Sequence, residues 1–276
     1  MNPLITANQL EKLLAVEDNA LICDCRYDLN QPAAGRESYN SGHIPGAIYI
    51  DLEKDLSDPK TGTNGRHPLP KPEHWAKTRQ RLGIAPQLHI VAYDNQGAMF
   101  ASRLWWMLRA IGHKKMQVLD GGLDSWKCQL STAIQNPIPL EQQPIPLEYQ
   151  GLVLGDEVLN NITSQRRKVI DARSSDRFHG QNETLDPVGG HIPGALNRFF
   201  KDNLDAGQFK SPEILRQELS TLLGNTLASD VIHQCGSGVT ACHNLLAMEY
   251  AGLSGSKLYA GSWSEWCADP KRPVKI

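Results

Sequence analysis

Val231-Ile-His-Gln-Cys235-Gly-Ser-Gly-Val-Thr240-Ala-Cys242 is a short β-type run that delivers a cysteine into a glycine-containing loop, with a helix-like stretch from Asn244 to Tyr250 behind it. A strand, tight loop and helix in that order aim several backbone N–H groups, and the positive end of a helix dipole, at one sulfur atom. Such surroundings favour a thiolate, which is the nucleophilic form of cysteine. A cysteine in an ordinary core has no need of Gly236 and Gly238 beside it. A working nucleophile must also be reachable, so its sulfur is expected to be open to a reactant.

The surrounding sequence repeats itself. Leu21-Ile-Cys-Asp24-Cys-Arg26 matches Val169-Ile-Asp171-Ala-Arg173, each an apolar run ending in an aspartate and then an arginine. Gly42-His-Ile-Pro-Gly-Ala47 recurs as Gly190-His-Ile-Pro-Gly-Ala195, and Asp120-Gly-Gly-Leu-Asp-Ser-Trp126 corresponds to Ala260-Gly-Ser-Trp-Ser-Glu-Trp266. Ile90-Val-Ala-Tyr-Asp94-Asn-Gln-Gly97 lines up with Val231 to Gly238, and the offset stays between 140 and 148 residues throughout. One domain has been duplicated. The expected organisation is residues 1–133, a proline-rich connector over 134–150 that holds no regular helix, and residues 151–276.

Within each copy, short β-rich runs alternate with helical patterns. Thr6-Ala-Asn-Gln9 is a capping-box start for a helix turning Leu10, Leu13 and Leu14 inward. Ser211-Pro212-Glu213 opens another, with Ile214, Leu215, Leu219 and Leu222 as its apolar stripe. The strands expected at Leu21–Cys23, Ile90–Tyr93, Val169–Ile170 and Val231–Gln234 suit burial on both faces. This alternation implies an α/β fold: two tandem domains, each a mainly parallel sheet flanked by helices. Sites in such sheets lie beyond the carboxyl ends of strands, where Cys235 falls.

At 276 residues with a net charge of −2, the chain has material for two cores and no electrostatic case for nucleic acid or an anionic membrane as partner. No run approaches the ~20 apolar residues of a membrane span. Met1-Asn-Pro-Leu-Ile-Thr6 lacks a basic start and an apolar core, so export is not expected. Six scattered cysteines do not form a disulfide framework, and a reducing cytoplasm is the expected location. Cys23, Cys25, Cys128 and Cys267 show no metal-ligand spacing, and Cys242 reads as a buried helix residue.

Duplication supplies an internal control. Features present in both copies are expected to be scaffold: His43 and His191 satisfying backbone groups, Asp24 and Asp171 hydrogen-bonding at strand ends, Trp126 and Trp266 anchoring cores. Where the second copy has Cys235, the first has Asp94, which cannot act as a thiol nucleophile. The first copy therefore keeps the shape without the reaction.

Taken together, the paired His-Ile-Pro-Gly-Ala segments, the six-residue loop Cys235 to Thr240 and Gly-Ser-Trp-Ser-Glu-Trp266 resemble the rhodanese family of sulfurtransferases over nearly the whole chain. The resemblance implies an inactive first rhodanese-like domain and a catalytic second one. It implies that Cys235 takes sulfur from a donor as a persulfide and passes it to a thiol, thioredoxin-like or cyanide acceptor, with no cofactor. Gly236, Gly238, Val239 and Thr240 would line the loop that holds the transferred sulfur. Cys-Gly-Ser-Gly-Val-Thr looks like the 3-mercaptopyruvate branch, since the thiosulfate branch usually carries basic residues where Gly236 and Ser237 stand.

The same resemblance implies a serine–histidine–acid relay made of Ser237, His67 and Glu53, with Asp51 a competitor for the acid. Arg177 matches a donor-binding arginine of that branch, while the second arginine expected some nine residues later is missing from Gln181 to Gly189. Either Arg66 or another arginine replaces it, or the donor preference differs. A cysteine phosphatase is the nearest rival, but its loop needs an arginine where Ala241 stands. Thiosulfate transfer, and a non-catalytic sulfur-carrying module, are the remaining alternatives.

Overall fold

The computed structural model describes residues 1–276. They divide into two compact units, Met1–Asp58 with Pro70–Gln150 and Ala206–Gln208, and Pro59–Leu69 with Gly151–Asp205 and Phe209–Ile276. The segment Pro59–Leu69, which lies inside the first copy by sequence, thus belongs to the second unit.

The first unit carries strands β1 (Leu4–Ile5), β2 (Ala20–Asp24), β3 (Ile48–Tyr49), β4 (His89–Tyr93) and β5 (Met116–Leu119). All pair in parallel, in the order β1-β5-β4-β2-β3. Its helices are α1 (Ala7–Val16), α2 (Ala34–Ser41), α3 (Pro72–Arg81), α4 (Ala101–Ala110) and the single turn α5 (Gly122–Ser125). Thr6 caps α1 in a capping box with Gln9, and Leu10 is fully buried while Leu13 and Leu14 are half-buried. Leu10, Ile22, Ile44, Val91, Tyr93 and Leu119 form one core cluster. Trp126 only packs against the edge of that cluster and is half-buried, less than the core anchor expected of it. The proline-rich stretch after residue 134 has no helix or strand; its backbone is tied to α3, Leu140 N–H donating to Gln80 O at 2.9 Å.

The second unit repeats the plan with β6 (Leu152–Val153), β7 (Lys168–Asp171) and β8 (Leu196–Asn197), then the short strands β9 (Leu204–Asp205) and β10 (Gln208–Phe209), then β11 (Val231–Gln234) and β12 (Lys257–Tyr259). The five-stranded parallel sheet runs β6-β12-β11-β7-β8, the same order as in the first unit. Helices α6 (Gly155–Ser164), α7 (Ser175–Phe178), α8 (Pro212–Leu223), α9 (Thr240–Tyr250) and α10 (Ser262–Trp266) accompany it. Trp263 and Trp266 are fully buried in its core.

Helix α9 starts at Thr240, earlier than the stretch expected from Asn244, and Ala241 through Met248 are all buried. Burial on every face removes the amphipathic pattern that marks a helix in sequence. In α8 the inward row is Leu215, Leu219 and Leu223, spaced by four, while Ile214 is 49% exposed and Leu222 half-buried. Ile214 sits one position round the helix from that row, and its N–H is the one that the Ser211 cap receives. Replacing Leu215 by alanine should cost about 2–5 kcal/mol in urea denaturation, against about 0.5 kcal/mol or less for Ile214→Ala.

Candidate active site

β11 is the central strand of its sheet, and Cys235 follows its last residue directly, beyond the carboxyl edge. The loop Cys235 to Val239 then turns straight into α9. Its backbone is held from behind by the start of α10. Cys235 N–H donates to Ser262 Oγ at 3.1 Å, Trp263 N–H donates to Cys235 O at 3.0 Å, and Ser264 N–H donates to Gly236 O at 2.9 Å. Ser262 achieves this in a left-handed conformation (φ 56°), and its own hydroxyl donates to Tyr259 O. Gly238 is also left-handed (φ +78°), and a Cβ there would fall 2.2 Å from Ala260 O, so only glycine fits.

That turn points Gly238 N–H at Cys235 Sγ, at 3.1 Å. The Cys242 thiol, fully buried one turn into α9, donates to Gly238 O at 3.3 Å and so braces the loop. In the first unit, Asp94 fills the equivalent cradle with its own carboxylate. It accepts N–H bonds from Gln96, Ala98, Phe100 and Ala101 at 2.8–3.0 Å, and its complete burial still pushes its carboxyl up against those four donors.

The second unit also brings Arg66 and His67 to this loop. Gly65 is left-handed and packs against Gly261 O and Ser264 Oγ, and Arg66 N–H donates to Ser264 Oγ at 3.0 Å. His67, 5% exposed, places Nδ1 2.8 Å from Ser237 Oγ. A Cβ built at Gly236 would meet Arg66 Nη2 at 2.6 Å and Arg177 Nη2 at 3.5 Å. Both guanidinium groups therefore stand over the loop. Arg66 is oriented by Asp186 (2.9 and 3.1 Å), and Arg177 by Glu183 (3.0 and 2.9 Å) with Asp186 at 3.5 Å. Asp186 lies nine residues after Arg177, where a second arginine was expected, and it is ion-paired with Arg66. Burial would raise the Glu183 carboxyl, but hydrogen bonds from Arg177 and from the N–H groups of Leu185 and Asp186 outweigh it and bring it below its usual range.

Asp171, at the end of β7, holds Arg173 through both its oxygens, and Arg173 also reaches Gly190 O at 2.7 Å and the Trp263 ring at 4.7 Å. Asp24 and Arg26 make the same fork in the first unit. These pairs are scaffold, as expected. So are the two repeated histidines: His43 Nδ1 lies 2.7 Å from Tyr39 O, and His191 Nδ1 lies 2.9 Å from Phe178 O.

Glu53 and Asp51 belong to the first unit, where Glu53 hydrogen-bonds Tyr27 and Asp51 Oδ1 accepts the N–H groups of Glu53 and Lys54. One expectation changes. Cys235 was expected to be open, yet it is 2% exposed. The groups above Gly236 are the ends of two arginine side chains that keep 24% and 20% side-chain exposure, and rotamer changes of such side chains are fast. Val239 is buried at the entry to α9 and Thr240 forms its first residue. Ser262, Glu183 and Asp186 were not found from sequence; the alignment of Gly122 with Ser262, both left-handed here, was the available signal for the first.

A family model described as Rhodanese-like domain matches the chain twice, at residues 6–129 and 154–269. The chain belongs to the rhodanese family. It is 43% identical over 280 residues to a probable 3-mercaptopyruvate sulfurtransferase of Pseudomonas aeruginosa, covering 98% of this chain and 97% of that one. It is 35% identical over 280 residues to a putative thiosulfate sulfurtransferase of Mycobacterium tuberculosis, covering 98% and 96%. The solved 3-mercaptopyruvate sulfurtransferase from Leishmania major superposes with a TM-score of 0.86 at 31% identity, over 98% of this chain and 75% of that one.

The steric demand at Gly238 gives a direct test of the loop. Gly238→Ala should lower stability in urea denaturation by more than about 1 kcal/mol and slow alkylation of Cys235 by iodoacetamide; unchanged stability and an unchanged alkylation rate would show that the loop tolerates the added methyl.

Proposed function

We propose that the chain is a 3-mercaptopyruvate sulfurtransferase working through a Cys235 persulfide. The observation that carries this reading is the Ser237–His67 pair, 2.8 Å apart and buried at the cysteine loop, because a donor whose leaving group must be protonated is served by such a pair. The Cys235 thiolate attacks the donor sulfur while the sulfur–carbon bond breaks toward carbon. The donor's thiol proton passes to the Ser237–His67 pair and returns to the enolate carbon, giving pyruvate and a Cys235 persulfide. A cyanide or thiolate acceptor then takes the outer sulfur and restores the Cys235 thiolate. Resemblance assigns the relay's acid to Glu53, with Asp51 the competitor.

Charge at the site supports the choice of donor. Arg66, Arg173 and Arg177 are matched by Asp171, Glu183 and Asp186, so the cluster is neutral before the cysteine ionises. One carboxylate can share Arg66 and Arg177 with their present partners. A dianion such as thiosulfate would call for two uncompensated cations, so the loop and its surroundings favour the single carboxylate of mercaptopyruvate. The similarity to a putative thiosulfate sulfurtransferase keeps that donor as the second reading. The acceptor is a small or protein thiol, or cyanide. Six cysteines, none in a disulfide, suit a reducing compartment such as the cytoplasm, and no helix is long and apolar enough to cross a membrane.

Intact mass after incubation with 3-mercaptopyruvate should show one added sulfur, absent in Cys235→Ser; faster loading from thiosulfate would reverse the donor order. Ser237→Ala should lower kcat for mercaptopyruvate by about 10²–10⁴-fold and leave loading from thiosulfate nearly unchanged. In steady-state assays Arg66→Gln and Arg177→Gln should each raise the mercaptopyruvate KM about tenfold or more, with the smaller effect on kcat. An unaltered KM in either variant removes that arginine from donor binding.

A further inference from the structure

A second concentration of positive charge lies in the first unit, at the amino ends of β2, β4 and β5, the opposite edge of the sheet from Asp94. A cleft of about 530 Å³ opens there, within the range of small-molecule sites. Arg79, His113, Lys114 and Lys115 line it, Ile84 and Ile111 form an apolar wall, and no aspartate or glutamate is among its lining residues.

Arg79 is the informative member. It projects from the last turn of α3 and is 5% exposed. Its Nη2 donates to Ile145 O at 3.0 Å, its Nε is buried with no acceptor, and no carboxylate pairs with it. Arg26 and Arg173, buried to the same degree, each grip an aspartate with both oxygens. A buried cation without a counter-charge is costly, and the protein retains one here beside two lysines that also lack ion pairs. The lowered pKa of Arg79, caused by its burial, is in keeping with that missing partner. Helix dipoles do not supply it: the carboxyl ends of α3 and α4 together offer roughly one negative charge, against three fixed cations.

We propose that this cleft binds a phosphate-bearing small molecule, the phosphate held by Arg79, Lys114 and Lys115 and the apolar part lying on Ile84 and Ile111. A dianion suits a cleft lined by three cations better than a single carboxylate does, and a guanidinium together with ammonium groups suits its tetrahedral oxygens. The site is independent of the sulfur-transfer reading.

Calorimetric titration of the full chain with phenyl phosphate, at ionic strength held constant with chloride, tests it. Saturable binding is expected, weakened at least tenfold in the exposed double variant Lys114→Gln/Lys115→Gln and unchanged in Arg177→Gln. Arg79→Gln should weaken it further where that variant folds, and the lysine pair decides the matter where it does not. Absence of saturable binding, equal binding by the lysine double variant, or loss of binding in Arg177→Gln, which would put the anion at the cysteine loop, each overturns the proposal.

Discussion

The hydrogen bonds that close the loop after the central strand constrain everything around them. Leu123 N–H binds Asp94 O at 2.8 Å in one unit, and Trp263 N–H binds Cys235 O at 3.0 Å in the other. To make that bond the chain must pass through a left-handed residue, Gly122 or Ser262, and the loop must curl with its amides turned inward. A ring of inward amides needs an acceptor, because each buried N–H left unmatched costs about 1–3 kcal/mol. Asp94 satisfies it permanently with a carboxylate bonded to four donors. At Cys235 the sulfur accepts the Gly238 N–H at 3.1 Å, so the same turn presents a carboxylate in one unit and a thiol in the other.

Around that ring the charges are arranged for holding, then for exchange. Arg173 is locked by Asp171 beneath Trp263 with almost no exposure, and it forms part of the frame. Removing one partner of such a buried pair costs about 3–5 kcal/mol. Arg66 and Arg177 keep a fifth or more of their side chains exposed while bound to Asp186 and Glu183. Their carboxylate partners orient them without sealing them, and both guanidinium ends stand above Gly236. Cys235 itself is 2% exposed, beneath these two partly exposed arginines.

Much of this was legible residue by residue. The duplicated Asp–x–Arg and His-Ile-Pro-Gly-Ala segments gave the repeat, the short β-rich runs gave the parallel sheets, and the alignment of Cys235 with Asp94 marked which copy carries the loop thiol. Less legible were the start of α9, whose residues are buried on every side and carry no amphipathic signal, and the inward row of α8, where Leu223 took the place given to Ile214. Trp126 looked like Trp266 in sequence but lies at the rim of its cluster, because one aromatic letter does not say how much sheet covers it.

By itself the sequence determined the family, the doubled fold and the one sulfur on which the chemistry turns, since strand, turn and helix signals are local and a repeat can be counted. Tertiary structure alone decided that Arg66 and His67, 170 residues before Ser237 in the case of the histidine, pack into the second unit, and that Arg66 lies beside Arg177 over Gly236. No periodicity records such a contact. It exists because Gly65 can adopt a left-handed turn against Gly261 and Ser264, which only the folded backbone brings within reach.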